Sequence, residues 1–137
     1  MPHFWLLKSE PSVYSFDQLM RDARTNWNGI RNFQARNFLK AAKSGDLALI
    51  YHSNEGKAVV GVAKIVREAY ADQDPSMPGE WVQIDIAPVE KLKSPVTLQE
   101  IKESPKLRDM LLLRQSRLSV MPVSKPHFEL IRSLGSR

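Results

Sequence analysis

The spacing of apolar residues changes at Gly45, and this change constrains the fold more than any other feature of the chain. Before Gly45, apolar residues recur at helical spacing, as they do in residues 35–42. After Gly45, apolar and polar residues alternate, as in WVQIDI at residues 81–86, and this period is typical of a half-buried strand. A chain with both periods predicts a domain of the α+β class.

One strand and one short helix are predicted first. Residues 3–7 form an apolar and aromatic run, which is stopped by Pro11 because proline cannot donate to a sheet ladder. Ser15 and Gln18 have the spacing of a capping box, so a helix is expected to begin there and to end near residue 24 or 25. Its buried stripe is expected to be Leu19, Met20 and Ala23.

A second helix is predicted to begin at Asn32, a favourable N-cap residue, and to stop at Gly45. Phe33 and Phe38 are both expected to lie in the core. The other inward residues are expected to be Ala35, Leu39 and Ala42. An adjacent face carries a basic stripe, which is usually solvated and which consists of Arg36, Lys40 and Lys43.

Beyond Gly45, residues 46–52 and 58–68 are expected to pair as a hairpin around a turn at 54–57. An irregular loop at 72–80 then leads to a strand at 81–86 with one buried face and one wet face. Two prolines are expected to bracket a strand edge, because neither can donate to a ladder: Pro88 and Pro95.

The C-terminal part alternates short helices with one more strand. Thr97 and Glu100 form a capping box, residues 110–113 follow a turn, and Ser124 caps the last helix. Residues 117–123 are the predicted strand. Five or six short strands with helices at the edges predict a partly open or closed β-barrel of α+β type.

Length and composition indicate one soluble domain, expected to span residues 1–137, since 42% of residues are hydrophobic and 26% are charged. The chain contains no cysteine, so disulfides, thiolate metal sites and a cysteine nucleophile are excluded. No signal peptide or membrane span is predicted, and the cytoplasm is the expected location. A net charge of +5 favours an anionic partner.

Motifs for catalysis or metal binding are absent from the sequence. His3, His52 and His127 lack the spacing of metal sites, and there is no nucleophile turn, phosphate loop or dinucleotide fingerprint. We therefore expect no metal and no cofactor. Glu10 and His52 both follow predicted strands, so an enzyme that uses them on a nucleotide or RNA-derived ligand is one alternative. An interaction module with a small metabolite in its pocket is another.

Groups suited to a nucleobase gather in WNGIRNFQARNFL at residues 27–39 and in YHSN at residues 51–54. An aromatic face stacks on a base, asparagine offers a donor and an acceptor to a base edge, and arginine binds phosphate. This set consists of Trp27, Arg31, Asn32, Tyr51 and Ser53. Each also has a structural interpretation, as a core residue, a helix cap, a strand residue or a turn former.

Together, the ordered motifs of the chain resemble the EVE domain family, of the thymocyte nuclear protein type. The resemblance rests on FWLLKSEP at 4–11, WNGIRNFQARNFL at 27–39, GDLALIYHSN at 45–54, GVAKIVREAYAD at 61–72, WVQIDI at 81–86 and RLSVMPV at 117–123. These motifs cover essentially the whole chain. The chain departs from the longer relatives in its short loop at 72–80.

The resemblance implies a PUA-like fold, a small curved β-barrel with helices packed at its edges, related to the YTH and ASCH groups. It also implies a pocket between barrel and helices that takes a flipped, modified base of DNA or RNA, with DNA the more expected partner. Members resemble readers of modified cytosine or adenine rather than enzymes. Carried over by position, the lining is expected to be Ser9, Glu10, Trp27, Gly29, Arg31, Asn32, Tyr51, His52, Ser53, Leu118 and Ser119.

Physical roles follow from these residue types as hypotheses. Trp27 and Tyr51 would stack on the base. Its polar edge would be read by Asn32, Ser53 and Glu10. Gly29 would let the backbone come close to the ligand. Flanking phosphates would be held by Arg31, Arg36, Lys40 and Lys43.

Overall fold

Six strands form one sheet in the computed structural model, which describes residues 3–72 and 79–137. The strands are β1 (Phe4–Ser9), β2 (Thr25–Trp27), β3 (Leu47–His52), β4 (Ala58–Ala71), β5 (Val82–Thr97) and β6 (Val120–Val123). Their order across the sheet is β2-β5-β4-β3-β1-β6. β1 and β3 run parallel, whereas every other pair is antiparallel. The predicted hairpin of β3 and β4 is confirmed.

Four of the five helices in the described residues begin at the N-cap residues predicted from the sequence, whereas α4 has no side-chain cap and α2 ends at Ala41, before the predicted stop at Gly45. They are α1 (Phe16–Asp22), α2 (Phe33–Ala41), α3 (Leu98–Glu103), α4 (Leu111–Arg114) and α5 (Lys125–Leu134). The capping box at Thr97 is complete. At Ser15 only half of it forms, because Gln18 Oε1 accepts from Arg21 Nη2 instead of from the Ser15 amide.

The sheet is curled but open. Hydrogen-bonded pairing between its edge strands β2 and β6 is absent from the described residues, so the predicted barrel is not confirmed. Four strand steps separate β2 from β1, about 19 Å in a flat sheet, yet residues of both strands line one cleft. Register shifts at four places between β4 and β5 explain this, because each irregularity bends and twists a strand pair. The structure thus shows an α+β domain built on a strongly curved sheet.

Several predicted positions are corrected. Met20 and Ala23 are exposed, because the left-handed Ala23 already ends α1 and leaves one buried stripe through Leu19. Residues 117–119 precede β6 instead of belonging to it. Pro88 and Pro95 lie inside β5, where they are tolerated because β2 pairs only with Ile84–Ile86 and leaves that side of β5 open beyond this point.

Two further expectations about exposure are wrong. Phe33, expected in the core, is 65% exposed because it begins α2 on the outer side of the helix. Asp85, expected on the wet face, is buried because Tyr70 Oη and Arg24 Nη2 both donate to its carboxylate. The loop predicted at 72–80 falls largely on residues 73–78, which lie outside the described residues.

Asp46 joins the start of β1 to the turn before β3. It is buried, and its carboxylate accepts hydrogen bonds from the backbone amides of His3 and Lys43 and from Trp5 Nε1, each at 2.9 Å. Burial alone would raise the pKa of Asp46, but these donors more than offset that effect, so its pKa lies below the usual 3.8. The three bonds fix where the parallel pair of β1 and β3 begins.

His52 performs a similar task at the other end of β3. Its Nε2 accepts a hydrogen bond from the backbone amide of Phe16 at 3.1 Å, which satisfies a free donor in the first turn of α1. Phe16 then packs over Gly61, where any Cβ would collide with the ring. Burial lowers the pKa of His52 below its usual 6.5, which keeps the ring neutral and able to accept this bond.

We expect Asp46→Asn to lower the free energy of unfolding by about 1–3 kcal/mol, because an amide NH₂ would face one of the three donors. Urea denaturation at neutral pH measures this loss. The pKa of Asp46 is depressed in the folded state, so the wild-type advantage should be present above pH 3.8 and be lost as the pH falls through the lowered value. Asp109→Asn, at an exposed ion pair, is the control, and equal losses for both variants would contradict the prediction.

We expect acid to destabilise the protein partly through His52. Because its pKa is lowered on folding, its contribution to stability is complete above pH 6.5 and is lost as the pH falls from 6.5 toward the lowered value. His52→Gln should therefore be less stable at pH 7.5 but show a flatter pH dependence between 7 and 5. Thermal unfolding across this range, with His127→Gln as the control, tests the assignment. A His52→Gln slope identical to that of the wild type would disprove it.

Candidate nucleic-acid interface

A cleft of about 540 Å³ opens where the end of β1 meets β2 and the segment that leads into α2. It is lined by Lys8, Ser9, Glu10, Val13, Tyr14, Thr25, Asn26, Trp27, Asn28 and Ile30. The fold therefore joins the KSEP and WNGI motifs, which are well separated in sequence. Ser9, Glu10 and Trp27 are the predicted pocket residues that the structure places in this lining.

Two aromatic rings form the apolar wall of the cleft. Trp27 is 8% exposed, and the ring of Tyr14 meets it edge-on with 6.2 Å between centroids and 83° between planes. The Tyr14 hydroxyl donates to Asp22 Oδ2 at 2.8 Å, and burial raises the pKa of Tyr14. The hydrogen bond and the contact with Trp27 hold the Tyr14 ring in place. The wall is thus preformed.

Polar groups occupy the rim that β1 provides. The Ser9 hydroxyl donates to the Tyr14 carbonyl, and the Glu10 carbonyl accepts from the amides of Val13 and Tyr14. The Glu10 carboxylate is exposed and makes no hydrogen bond to another described residue. Ser9 therefore holds the turn, whereas the Glu10 carboxylate is available to a ligand that donates hydrogen bonds.

Lys8 separates this cleft from a second, smaller one. Its Nζ donates to the Ser116 carbonyl at 2.7 Å, and burial lowers the pKa of Lys8. The second cleft, of about 350 Å³, is lined by Asn32, Gln34, Arg114, Gln115, Ser116, Arg117 and Leu118. The predicted residues Asn32 and Leu118 thus line the neighbouring cleft, and Asn32 Oδ1 already caps α2 by accepting from the Ala35 amide.

Gly29 and Arg31 brace the segment between β2 and α2. The Gly29 amide and Arg31 Nη1 both donate to Asp72 Oδ2 at 2.9 Å. The Arg31 side chain is only 14% exposed, so this ion pair is largely shielded from water. Gly29 has φ +80°, and glycine adopts this left-handed conformation without strain. Among the described contacts, both residues shape the loop rather than the cleft lining.

Tyr51, His52 and Ser53 support the cleft from β3. Tyr51 is 4% exposed and lies opposite Lys8 in the parallel pair, with Lys8 Nζ 5.8 Å from its ring centre. The Ser53 amide donates to the Ser9 carbonyl at 2.9 Å, and Ser119 accepts from the Lys8 amide at 3.0 Å. The cleft lining described above includes none of the four predicted residues Tyr51, His52, Ser53 and Ser119. Tyr51, His52 and Ser53 lie beside the end of β1 because β1 and β3 pair in parallel, and Ser119 reaches β1 through its hydrogen bond to Lys8.

The predicted basic stripe divides into two parts. Lys40 and Lys43 are exposed, and no side-chain ion pair of theirs occurs within residues 3–72 and 79–137. Arg36 is half-buried, and its guanidinium lies 4.9 Å from the ring centre of Phe33 and 5.7 Å from that of Trp81. The stripe therefore combines two solvated charges with one that packs on aromatic rings.

Sequence reasoning missed most of the lining that lies outside the strand ends. Tyr14 and Val13 belong to the turn before α1, and Asn26 and Thr25 belong to β2, a strand of three residues that has no periodic signal. For three other lining residues the sequence did carry a signal, because they lie within the two motifs. Asn28 and Ile30 belong to WNGI, and Lys8 belongs to KSEP.

Two kinds of feature are absent from the described part of the chain. No group of three or more His, Cys, Asp or Glu side chains there is arranged to hold a metal ion. None of its helices has the length and apolar character that crossing a membrane requires.

Known proteins resemble this chain in sequence and in structure. Thymocyte nuclear protein 1 of Gallus gallus is 35% identical, with 95% of this chain and 67% of that protein covered. The NMR structure of Rpa0253 from Rhodopseudomonas palustris is 46% identical with a TM-score of 0.90, and the match covers 97% of this chain and 92% of that one.

A third relative was solved with nucleic acid. Human THYN1, in complex with DNA that contains 5-methylcytosine, is 33% identical with a TM-score of 0.90, and 98% of each chain is covered. A YTH domain from Zygosaccharomyces rouxii is 18% identical with a TM-score of 0.63 and covers 99% of this chain and 88% of that one, which shows a shared fold.

Each of these matches extends over nearly the whole chain. The model of the EVE domain family matches residues 3–134, which include every strand and helix described above. Together with the identities above 30%, this match confirms the resemblance seen in the motifs. The chain belongs to the EVE domain family.

Proposed function

We propose that this protein is a non-enzymatic reader of modified bases in nucleic acid, and that it takes a flipped base into the cleft beside Trp27. The observation that carries the proposal is the composition of this cleft. It combines a preformed aromatic wall with an available carboxylate and several amide groups, which are the features that bind an extruded base.

The human relative supports the same ligand class. Its solved complex contains 5-methylcytosine DNA, and it superposes on this chain over 98% of both lengths. We therefore expect modified cytosine in DNA to be the preferred partner. The positive net charge of +5 fits an anionic polymer.

Specific roles follow from the geometry. The Trp27 ring, whose buried side packs in the core, would contact the base with its open side, and Tyr14 would hold it in place. The Glu10 carboxylate would accept from the exocyclic amine of cytosine, a pairing that carboxylates make with this base. Asn26 and Asn28 lie on the same lining and offer further donors and acceptors.

An enzymatic alternative finds less support. His52 was the candidate partner of Glu10 in acid–base catalysis, but its Nε2 accepts from the Phe16 amide and it lies behind the cleft. Glu10 would therefore act without it. A reader needs only to bind its ligand, and the groups that line the cleft are suited to a base.

We predict that Glu10→Gln weakens binding of a single-stranded oligonucleotide that carries 5-methylcytosine by roughly 10- to 150-fold, since a hydrogen bond to a charged group contributes about 1.5–3 kcal/mol. Tryptophan fluorescence titration measures the affinity, with the unmodified strand in parallel. Glu55→Gln, at an exposed turn residue outside the cleft lining, is the matched control. Unchanged affinity of Glu10→Gln would refute the reading role of Glu10. Turnover of the strand by the wild type but not by Glu10→Gln would refute it as well.

We predict that Lys40→Gln with Lys43→Gln lowers affinity for modified and plain strands alike. Each lost phosphate contact should reduce the slope of log K against log salt by about 0.7 for a single strand. The double variant Lys102→Gln with Lys106→Gln, on and after α3, removes the same charge elsewhere. Equal slopes for the two double variants would show that Lys40 and Lys43 act only through the net charge of the protein.

A further inference from the structure

An exposed aromatic ring beside the cleft has no role in the function proposed above. Phe33 is 65% exposed and stacks on Trp81, with 5.2 Å between ring centres and 30° between planes. The Arg36 guanidinium lies 4.9 Å from the Phe33 ring centre and 5.7 Å from that of Trp81. We call these three residues the Phe33 cluster.

Core packing does not explain this cluster. A ring that keeps most of its surface in water gains little from burial. Two donors within the cluster, Arg36 Nε and Trp81 Nε1, are buried without an acceptor among the described residues. Since a buried donor without a partner is unfavourable, the arrangement is not the one that stability alone would select.

The cluster lies next to both clefts. Ile30 lines the first cleft, and Phe33 follows it by three steps along the chain, which limits the distance between their Cα atoms to about 11 Å. Asn32 and Gln34, the neighbours of Phe33, line the second cleft. A strand with one base in the first cleft would thus have its next nucleotide within reach of Phe33.

We propose that the open face of Phe33 stacks on the unpaired base adjacent to the base held in the cleft. The ring supplies a surface that accepts any base, because every base has a π-face. Arg36 adds positive charge beside the ring, which favours a nucleic acid strand over a neutral or cationic partner. This inference rests on the proposed function and adds a second, sequence-tolerant contact to it.

Single-stranded oligonucleotides with 5-methylcytosine and 2-aminopurine on its 5′ or its 3′ side test the contact. Wild-type protein should quench the 2-aminopurine fluorescence of one of the two strands, because stacking quenches this base. Phe33→Ala should abolish the quenching and weaken strand binding roughly 5- to 150-fold. Phe33→Trp should restore both, and Val89→Ala, at another exposed apolar residue, should change neither.

The mononucleotide 5-methyl-dCMP separates this inference from the function on which it rests. It has no neighbouring base, so wild type and Phe33→Ala should bind it equally. If wild type prefers the methylated strand but Phe33→Ala binds it as tightly and quenches as strongly, the stacking role is wrong and the reader function stands. If wild type shows no preference for methylated over plain strands, the reader function fails, and the inference fails with it.

Discussion

Curvature of the sheet is the constraint on which the rest of this structure depends. β1 and β2 lie four strand steps apart, yet both line the same cleft, so the cleft exists only because the long ribbon of β4 and β5 bends. The register shifts along that ribbon supply the bend. The cleft is therefore a product of sheet geometry.

Polar anchors hold the ends of the parallel pair that forms the rear of the cleft. Asp46 secures the start of β1 and β3, and His52 ties the end of β3 to α1. In the same way, Asp72 braces Gly29 and Arg31. Polar side chains near the cleft are thus of two kinds. Some already make hydrogen bonds within the fold, whereas others, such as that of Glu10, remain available to a ligand.

This division explains which site predictions could be made from the sequence. Trp27 was predicted from its chemistry and Glu10 from the family resemblance, and both line the cleft. Arg31 was predicted on the same grounds, but its charge is paired with Asp72, 41 residues away, and a contact at that separation has no local signal. Tyr14 was missed because it belongs to the wall only through the contact of its ring with Trp27, and no local pattern predicts that contact.

The sequence by itself determined where four helices begin and where strands replace helices, through local physics: N-caps at Ser15, Asn32, Thr97 and Ser124, and the change of apolar period at Gly45. It also determined the family, because long ordered motifs span the whole chain. Tertiary structure alone decided that the sheet stays open, that Phe33 faces solvent and that Asp85 is buried. Those outcomes depend on strand bending and on partners distant in sequence, which no local pattern encodes.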